Sequence, residues 1–162
     1  MDFKRARDFN KIGRLMIFVL ICLLAGAIGS IFTLDSVKNW YPTLNKPAFT
    51  PPNWIFGSVW IILYILIGAS AYLVYDKKGK ETKNALTIFG IQLGLNILWP
   101  LLFFGLRSPL YGLICILLLW AAILLTMIRF YAISKTAGLL IVPYALWVSF
   151  ASLLNFYILI LN

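Results

Sequence analysis

Five long apolar runs constrain this chain more than anything else in it: Leu15–Phe32, Trp54–Tyr75, Ala85–Phe104, Leu110–Ile128 and Ala137–Leu161. Each is 18 to 25 residues long, and a helix needs about 20 to cross roughly 30 Å of hydrocarbon. Backbone N–H and C=O groups in a bilayer must be satisfied within the spanning structure, so runs of this length read as helices. Helices are expected over 12–32, 54–75, 85–104, 110–132 and 137–161, within one domain covering 1–162. The expected fold class is an all-α membrane protein, a bundle of five transmembrane helices. The charged fraction, 12%, is about half that of an average soluble chain, which excludes an ordinary soluble domain.

The net charge of +9 raises the question of nucleic acid, and its placement answers it. Lys4, Arg5, Arg7, Lys11 and Arg14 precede the first run, Lys77, Lys78, Lys80 and Lys83 follow the second, and Arg129 and Lys135 follow the fourth. These eleven fall on one side of the membrane; the other side has only Lys38, Lys46 and Arg107. That asymmetry is the positive-inside pattern. It predicts a cytoplasmic N-terminus, with segment 33–53 and the C-terminus outside, and no nucleic-acid partner. Ala25-Gly26-Ala27 mimics a signal-peptide cleavage site, but the apolar run continues to Phe32, so a retained helix is expected. Retained helices favour a bacterial inner membrane. Cys22 and Cys115 sit mid-run at no metal-binding spacing and read as small buried hydrophobes.

Only one connection is long. Segment 33–53 exceeds the roughly 12–15 residues beyond which a connection without its own helix or strand is usually functional or disordered. From Trp40 to Trp54 it holds two of the six tryptophans and four of the seven prolines, too much rigid and aromatic material for disorder. It is expected to hold one shape, as a lid over the bundle. The other loops are short, so their helices should pack antiparallel. Close helix approaches are marked by Ala25 and Gly29, by Gly68-Ala69-Ser70-Ala71, and by the GxxxG of Gly90 and Gly94. That last pair admits two readings: packing inside one bundle, or the seam of a homodimer.

The chain contains no His, and its acidic residues (Asp2, Asp8, Asp35, Asp76, Glu81) all lie outside the apolar runs. There is thus no intramembrane carboxylate relay, no residue suited to general acid–base work in the bundle, no zinc site and no expected metal or cofactor. What remains is aromatic and amide chemistry at helical spacing. Gln92, Asn96, Trp99 and Phe103 share a face of the third run, Phe56, Trp60 and Tyr64 of the second, and Trp147, Ala151 and Asn155 of the fifth, with Tyr144 one turn before Trp147. Amides and indole N–H groups in hydrocarbon must face the bundle or a cavity. An aromatic cavity with a few convergent polar groups suits a flat hydrophobic ligand. Plainer readings stay open: Trp54 and Tyr75 as interfacial belt residues, Trp99 and Trp120 as core or lipid-facing residues, Gln92 and Asn96 as interhelical hydrogen-bonders.

These residues also carry a resemblance. Trp40-Tyr41-x-x-Leu44-x-Lys46-Pro47-x-Phe49-x-Pro51-Pro52, followed by Phe56-x-x-Val59-Trp60-x-x-Leu63-Tyr64, resembles the signature of the translocator protein (TspO/MBR) family, the tryptophan-rich sensory proteins or peripheral benzodiazepine receptors. Gln92-x-x-x-Asn96-x-x-Trp99-Pro100-x-x-Phe103-Phe104-Gly105 and Pro143-Tyr144-x-x-Trp147-x-x-Phe150-Ala151-x-x-Leu154-Asn155 are similar to its third and fifth helices. The resemblance covers roughly 15–157, and the chain looks like a bacterial member. It implies a five-helix bundle, commonly a homodimer in membrane lipid, with a cavity under the first loop. It implies binding of porphyrins such as protoporphyrin IX, of isoquinoline and benzodiazepine drugs, and, in animal members, of cholesterol. Some bacterial members are credited with light-dependent breakdown of protoporphyrin, for which Trp60 and Trp147 would be the catalytic residues. By position, the ligand-binding residues implied are Tyr41, Pro51, Trp60, Asn96, Trp99, Phe103, Trp147 and Ala151, with Gly90 and Gly94 at a dimer interface.

The chain departs from the pattern at Phe49, where many members have Trp, and at Ser58, where Pro often stands. The basic residue that ends the animal sterol motif has no counterpart near Leu161-Asn162, and Leu73-x-Tyr75-x-Lys77 matches only the general form of such motifs, so cholesterol is not an expected partner. Three functions follow as expectations: a tetrapyrrole carrier, sensor or scavenger; an enzyme that degrades porphyrin photo-oxidatively; and a packing protein whose cavity is incidental.

Overall fold

The computed structural model describes residues 3–162, with side chains from Asn10 onward; Lys4, Arg5 and Arg7, counted above toward orientation, and the acidic Asp2 and Asp8 lie outside the described side chains. Six α-helices follow in order: α1 (Phe3–Ile31), α2 (Leu34–Asn39), α3 (Asn53–Tyr75), α4 (Lys80–Pro100), α5 (Pro109–Ile133) and α6 (Lys135–Leu161). Five are long and apolar enough to cross a membrane, over Asn10–Ile31, Asn53–Tyr75, Lys80–Gly105, Pro109–Ile133 and Lys135–Leu161. The protein is a five-helix membrane bundle.

The ends of the helices follow from local chemistry. Ser108 and Ser134 cap α5 and α6 by accepting the N–H of Tyr111 and of Ala137, satisfying donors that a helix start leaves open. Helix α4 starts at Lys80, five residues before its apolar run, because Lys80–Asn84 add a polar turn and a half and Thr82 Oγ1 accepts the Gly79 N–H (3.1 Å). At its other end Pro100 has no N–H to give. The chain passes into a π-helical turn, Leu101–Gly105, closed by the Leu106 N–H on the Leu101 carbonyl (2.8 Å).

The spanning helices form a closed ring in the order α1, α3, α6, α5, α4 and back to α1. At the end away from segment 33–53 the ring is tight. A Cβ on Gly68 would lie 2.6 Å from Val19 Cα, and Ser70 Oγ donates to the Ala137 carbonyl (2.7 Å). Tyr144, Ile67, Ile123, Val148 and Phe130 are fully buried there. A smaller apolar cluster at the other end gathers Tyr41, Phe103, Leu154 and Ile158, and the space between the two clusters is the cavity described below.

Two expectations change. Segment 33–53 is not a connection without structure of its own: its first half is α2 and a 3₁₀ turn, Tyr41–Thr43. Asp35 in the first turn of α2 and Lys38 in its last suit the helix dipole, and Pro42 starts the 3₁₀ turn. Gly90 and Gly94 do not pack inside the bundle. Both are exposed, and an added Cβ at either meets nothing within 4 Å. The glycines at close approaches are Gly68, Gly26 (against the Tyr64 ring), Gly112 (against Phe103), Gly138 (against Tyr131) and, as expected, Gly29, whose added Cβ would lie 3.0 Å from Pro100.

Candidate functional site

Under the lid, α1, α3, α4 and α6 enclose a cavity of about 500 Å³, within the roughly 300–1,000 Å³ of small-molecule sites. The lid contributes Tyr41 and Val37, α3 contributes Phe56, Trp60 and Tyr64, α4 contributes Asn96, Trp99 and Pro100, the π-helical turn contributes Phe103 and Phe104, and α6 contributes Ala151, Leu154, Asn155 and Ile158. Small residues of α1, namely Gly26, Ala27, Gly29 and Ser30, line the remaining side. A ligand here meets ring faces on three sides and three amides, those of Asn96, Asn155 and, at the start of α3, the exposed Asn53.

The two buried amides, Asn96 and Asn155, are committed to neighbouring helices, which fixes their orientation. Tyr64 Oη donates to Asn96 Oδ1, and Asn96 Nδ2 donates to Tyr144 Oη (2.7 Å), tying α3, α4 and α6 together at the cavity floor. Trp99 Nε1 donates to Asn155 Oδ1 (3.2 Å), and Asn155 Nδ2 donates to the Pro109 carbonyl (2.8 Å), tying α4, α6 and the start of α5. In hydrocarbon each unpaired polar group is costly, so these two relays hold the floor and one wall rigid. Around them Trp99 stacks on Phe103 (5.4 Å, 22°) and Trp60 on Tyr64 (5.5 Å, 28°).

The lid is fastened at several points. Ser36 Oγ donates to the Phe104 carbonyl (2.7 Å) in the π-helical turn, an acceptor that the residue five positions on, Pro109, has no N–H to fill. Trp40 packs edge-on against Phe103 and Phe104, and Tyr41 edge-on against Phe103 and tilted against Phe104. Lys46 Nζ donates to the carbonyls of Tyr41 (2.9 Å), Leu44 (3.0 Å) and Pro42 (3.4 Å) and sits 5.0 Å over the Tyr41 ring, so one ammonium holds the 3₁₀ turn closed. Asn162 Oδ1 accepts the Asn45 N–H (2.9 Å) while its Nδ2 donates to the Asn45 carbonyl (3.0 Å), pinning the lid to the end of α6. Phe49 packs on Phe150 and Tyr157 of α6. An exposed Arg107–Asp35 pair (3.1 Å) adds little in water. Burial pushes the Tyr41 phenol up to about 12.

Of the eight ligand-binding residues expected, Tyr41, Trp60, Asn96, Trp99, Phe103 and Ala151 line this one cavity. Pro51 and Trp147 do not. Trp147 lies in an outer groove between α3 and α6 with Val59, Leu63 and Phe150, packs edge-on against Phe56 (5.7 Å), and its buried indole N–H has no protein acceptor. Gln92, expected to converge with Asn96, is buried one turn deeper, below the floor, with neither amide atom bonded. Trp54 is 72% exposed and Tyr75 39% exposed, both at α3 ends, as belt residues would be. Trp120 is turned outward and donates to Ser149 Oγ (2.7 Å). The residues that sequence reasoning missed are the α1 wall and the fastenings through Asn45, Asn162 and Ser36. Among the described residues no cluster of His, Cys, Asp and Glu could hold a metal.

Comparison with known proteins bears on the same residues. The sequence model of the TspO/MBR family matches residues 18–161. The tryptophan-rich protein TspO of Archaeoglobus fulgidus is 46% identical over 149 residues, covering 92% of this chain and 97% of that protein. The tryptophan-rich protein TspO of Chlorobaculum tepidum is 49% identical over 144 residues, 88% of this chain and 91% of that one. The human translocator protein is 37% identical over 142 residues, 86% and 84% of the two chains.

Proposed function

The chain belongs to the TspO/MBR family, and on that premise we propose that this multi-pass membrane protein binds porphyrins, protoporphyrin IX among them, and similar flat hydrophobic molecules, as a tetrapyrrole carrier, sensor or scavenger. The single observation that carries the reading is the cavity of about 500 Å³ walled by Trp60, Trp99, Phe103, Tyr41 and Ala151. Its shape offers ring faces to a macrocycle, and its buried amides, Asn96 and Asn155, are already paired, so a ligand need supply few hydrogen bonds of its own. Titrating purified protein with protoporphyrin IX in the dark is expected to quench tryptophan fluorescence saturably. A ligand at 100 times its Kd should also stabilise the fold by about 2.7 kcal/mol. Neither quenching nor stabilisation would leave the cavity incidental.

A second reading, light-dependent degradation of the bound porphyrin, has one observation in its favour: Trp60 forms part of the cavity wall. Trp147, outside the wall, is the weaker candidate. Under illumination this reading expects loss of the porphyrin band and a new product, stopped by Trp60→Phe while binding persists. Unchanged turnover in Trp60→Phe would contradict it.

The same proposal extends to assembly and place. We assign the exposed face of α4 around Gly90, Ile91 and Gly94 to a homodimer seam, because small residues let backbones meet in lipid. The charge asymmetry of the sequence supports an orientation with the lid and C-terminus outside, and the retained helices favour a bacterial inner membrane.

A further inference from the structure

We infer that ligand reaches the cavity sideways from the lipid, through a slot between the lid-end halves of α1 and α3, rather than from water past the lid. The inference rests on the binding reading above and adds the route to the same site.

The two helices diverge toward the lid. In their far halves the backbones touch, with a Gly68 Cβ falling 2.6 Å from Val19 Cα, and Phe18 rests against Tyr72 and Tyr75. Midway, Gly26 still meets the Tyr64 ring. Two turns nearer the lid, a Cβ on Gly57 meets nothing within 4 Å, although Gly57 lines the cavity. At this level the cavity wall is also outer surface: Ala27 and Ser30 of α1 and Gly57 and Ile61 of α3 line the cavity and are exposed, Ile61 by 56%. Residues that are wall and surface at once mark an opening. Ser30 Oγ donates to its own helix at the Ala27 carbonyl (2.7 Å), so the α1 side of the slot keeps its hydroxyl paired, while the exposed Asn53 marks the lid end of the α3 side.

The slot lies at acyl-chain depth. Trp54, in the first turn of α3 and 72% exposed, marks the interface. Gly57 and Ile61, three and seven residues further on, lie about 5 and 10 Å deeper at 1.5 Å per residue. The lid is fastened to the bundle on the aqueous side by the bonds of Ser36 to the Phe104 carbonyl and of Asn45 with Asn162. Opening the lid breaks these; opening the slot displaces only an acyl chain. The ligand class this route admits is a flat, membrane-dissolved apolar ring system.

The test is stopped-flow tryptophan quenching by protoporphyrin IX with the full chain in lipid nanodiscs. Ser58→Leu and Ser58→Phe add bulk beside Gly57 at an exposed residue that is not part of the cavity wall. Both are expected to keep saturable binding while slowing association and release, about tenfold for Ser58→Phe, with Asn162→Ala, which unfastens the lid from α6, changing both rates by less than about twofold. Unchanged rates in both rim variants, or clear acceleration in Asn162→Ala, overturn the route. Loss of saturation in both rim variants overturns it too, since a plugged route slows exchange without removing the site. No saturable quenching in the unmodified protein is a different failure, of the binding reading itself and of the route with it.

Discussion

Asn96 and Gln92 stand one turn apart on α4, both almost fully buried, and their substitution should have opposite consequences. Asn96→Leu strips the Tyr64 and Tyr144 hydroxyls of their shared partner and is expected to destabilise by about 1–3 kcal/mol. Gln92→Leu removes two buried polar atoms that have no protein partner and is expected to leave the melting temperature unchanged or raised. Thermal unfolding in detergent compares the two; similar losses in both would contradict the relay. Tyr41 gives a pH signature. Its phenol is pushed up to about 12 in the folded protein, against about 10 unfolded. Below about 10 both states hold the proton and stability is flat; between about 10 and 12 only the folded state does, so stability falls as pH rises. A melting-temperature series from pH 7 to 11 should show that decline, reduced in Tyr41→Phe. At this scale the sequence was partly legible. Positions 96, 99 and 103 stay within a narrow arc of α4, so their shared face was readable. Trp147, Ala151 and Asn155 drift about 40° per four residues. Asn155 and Ala151 therefore face the cavity while Trp147, about 80° round from Asn155, turns to the outer groove.

Among the elements, the lid and the α1–α3 crossing make the clearest demands. Lys46→Met removes the ammonium that holds three carbonyls of the lid turn, and limited proteolysis should then cut faster within 33–53; cleavage at the original rate would mean that the remaining bonds suffice. Gly68→Val forces side-chain atoms into the Val19 backbone, a contact that cannot give way cheaply, and the cost expected is about 1–3 kcal/mol of overpacking. A neutral Gly68→Val would mean the helices can separate. The spanning helices were readable because hydropathy and length suffice for them. The lid's shape was not, because it depends on partners far away in sequence: Asn45 pairs with Asn162 across 117 positions, and Ser36 with Phe104 across 68. The π-helical turn was hidden for a related reason, since Pro100 announces only a lost hydrogen bond and not how the chain absorbs it.

The whole molecule is a ring of five helices closed tightly at one end and propped open by aromatic side chains at the other. Its outer face at Gly90 and Gly94 has no internal neighbour, so Gly94→Leu should leave the protomer's melting temperature intact while dissociating a dimer, as read by light scattering in detergent; an unaltered dimer would move the seam elsewhere. The central claim is that the cavity receives the ligand. Protoporphyrin IX titration of the unmodified protein beside Ala151→Trp, which fills the cavity from α6, tests it most directly. Saturable tryptophan quenching in the first and its loss in a folded second is the predicted result; equal quenching in both, or none in the unmodified protein, would contradict the account.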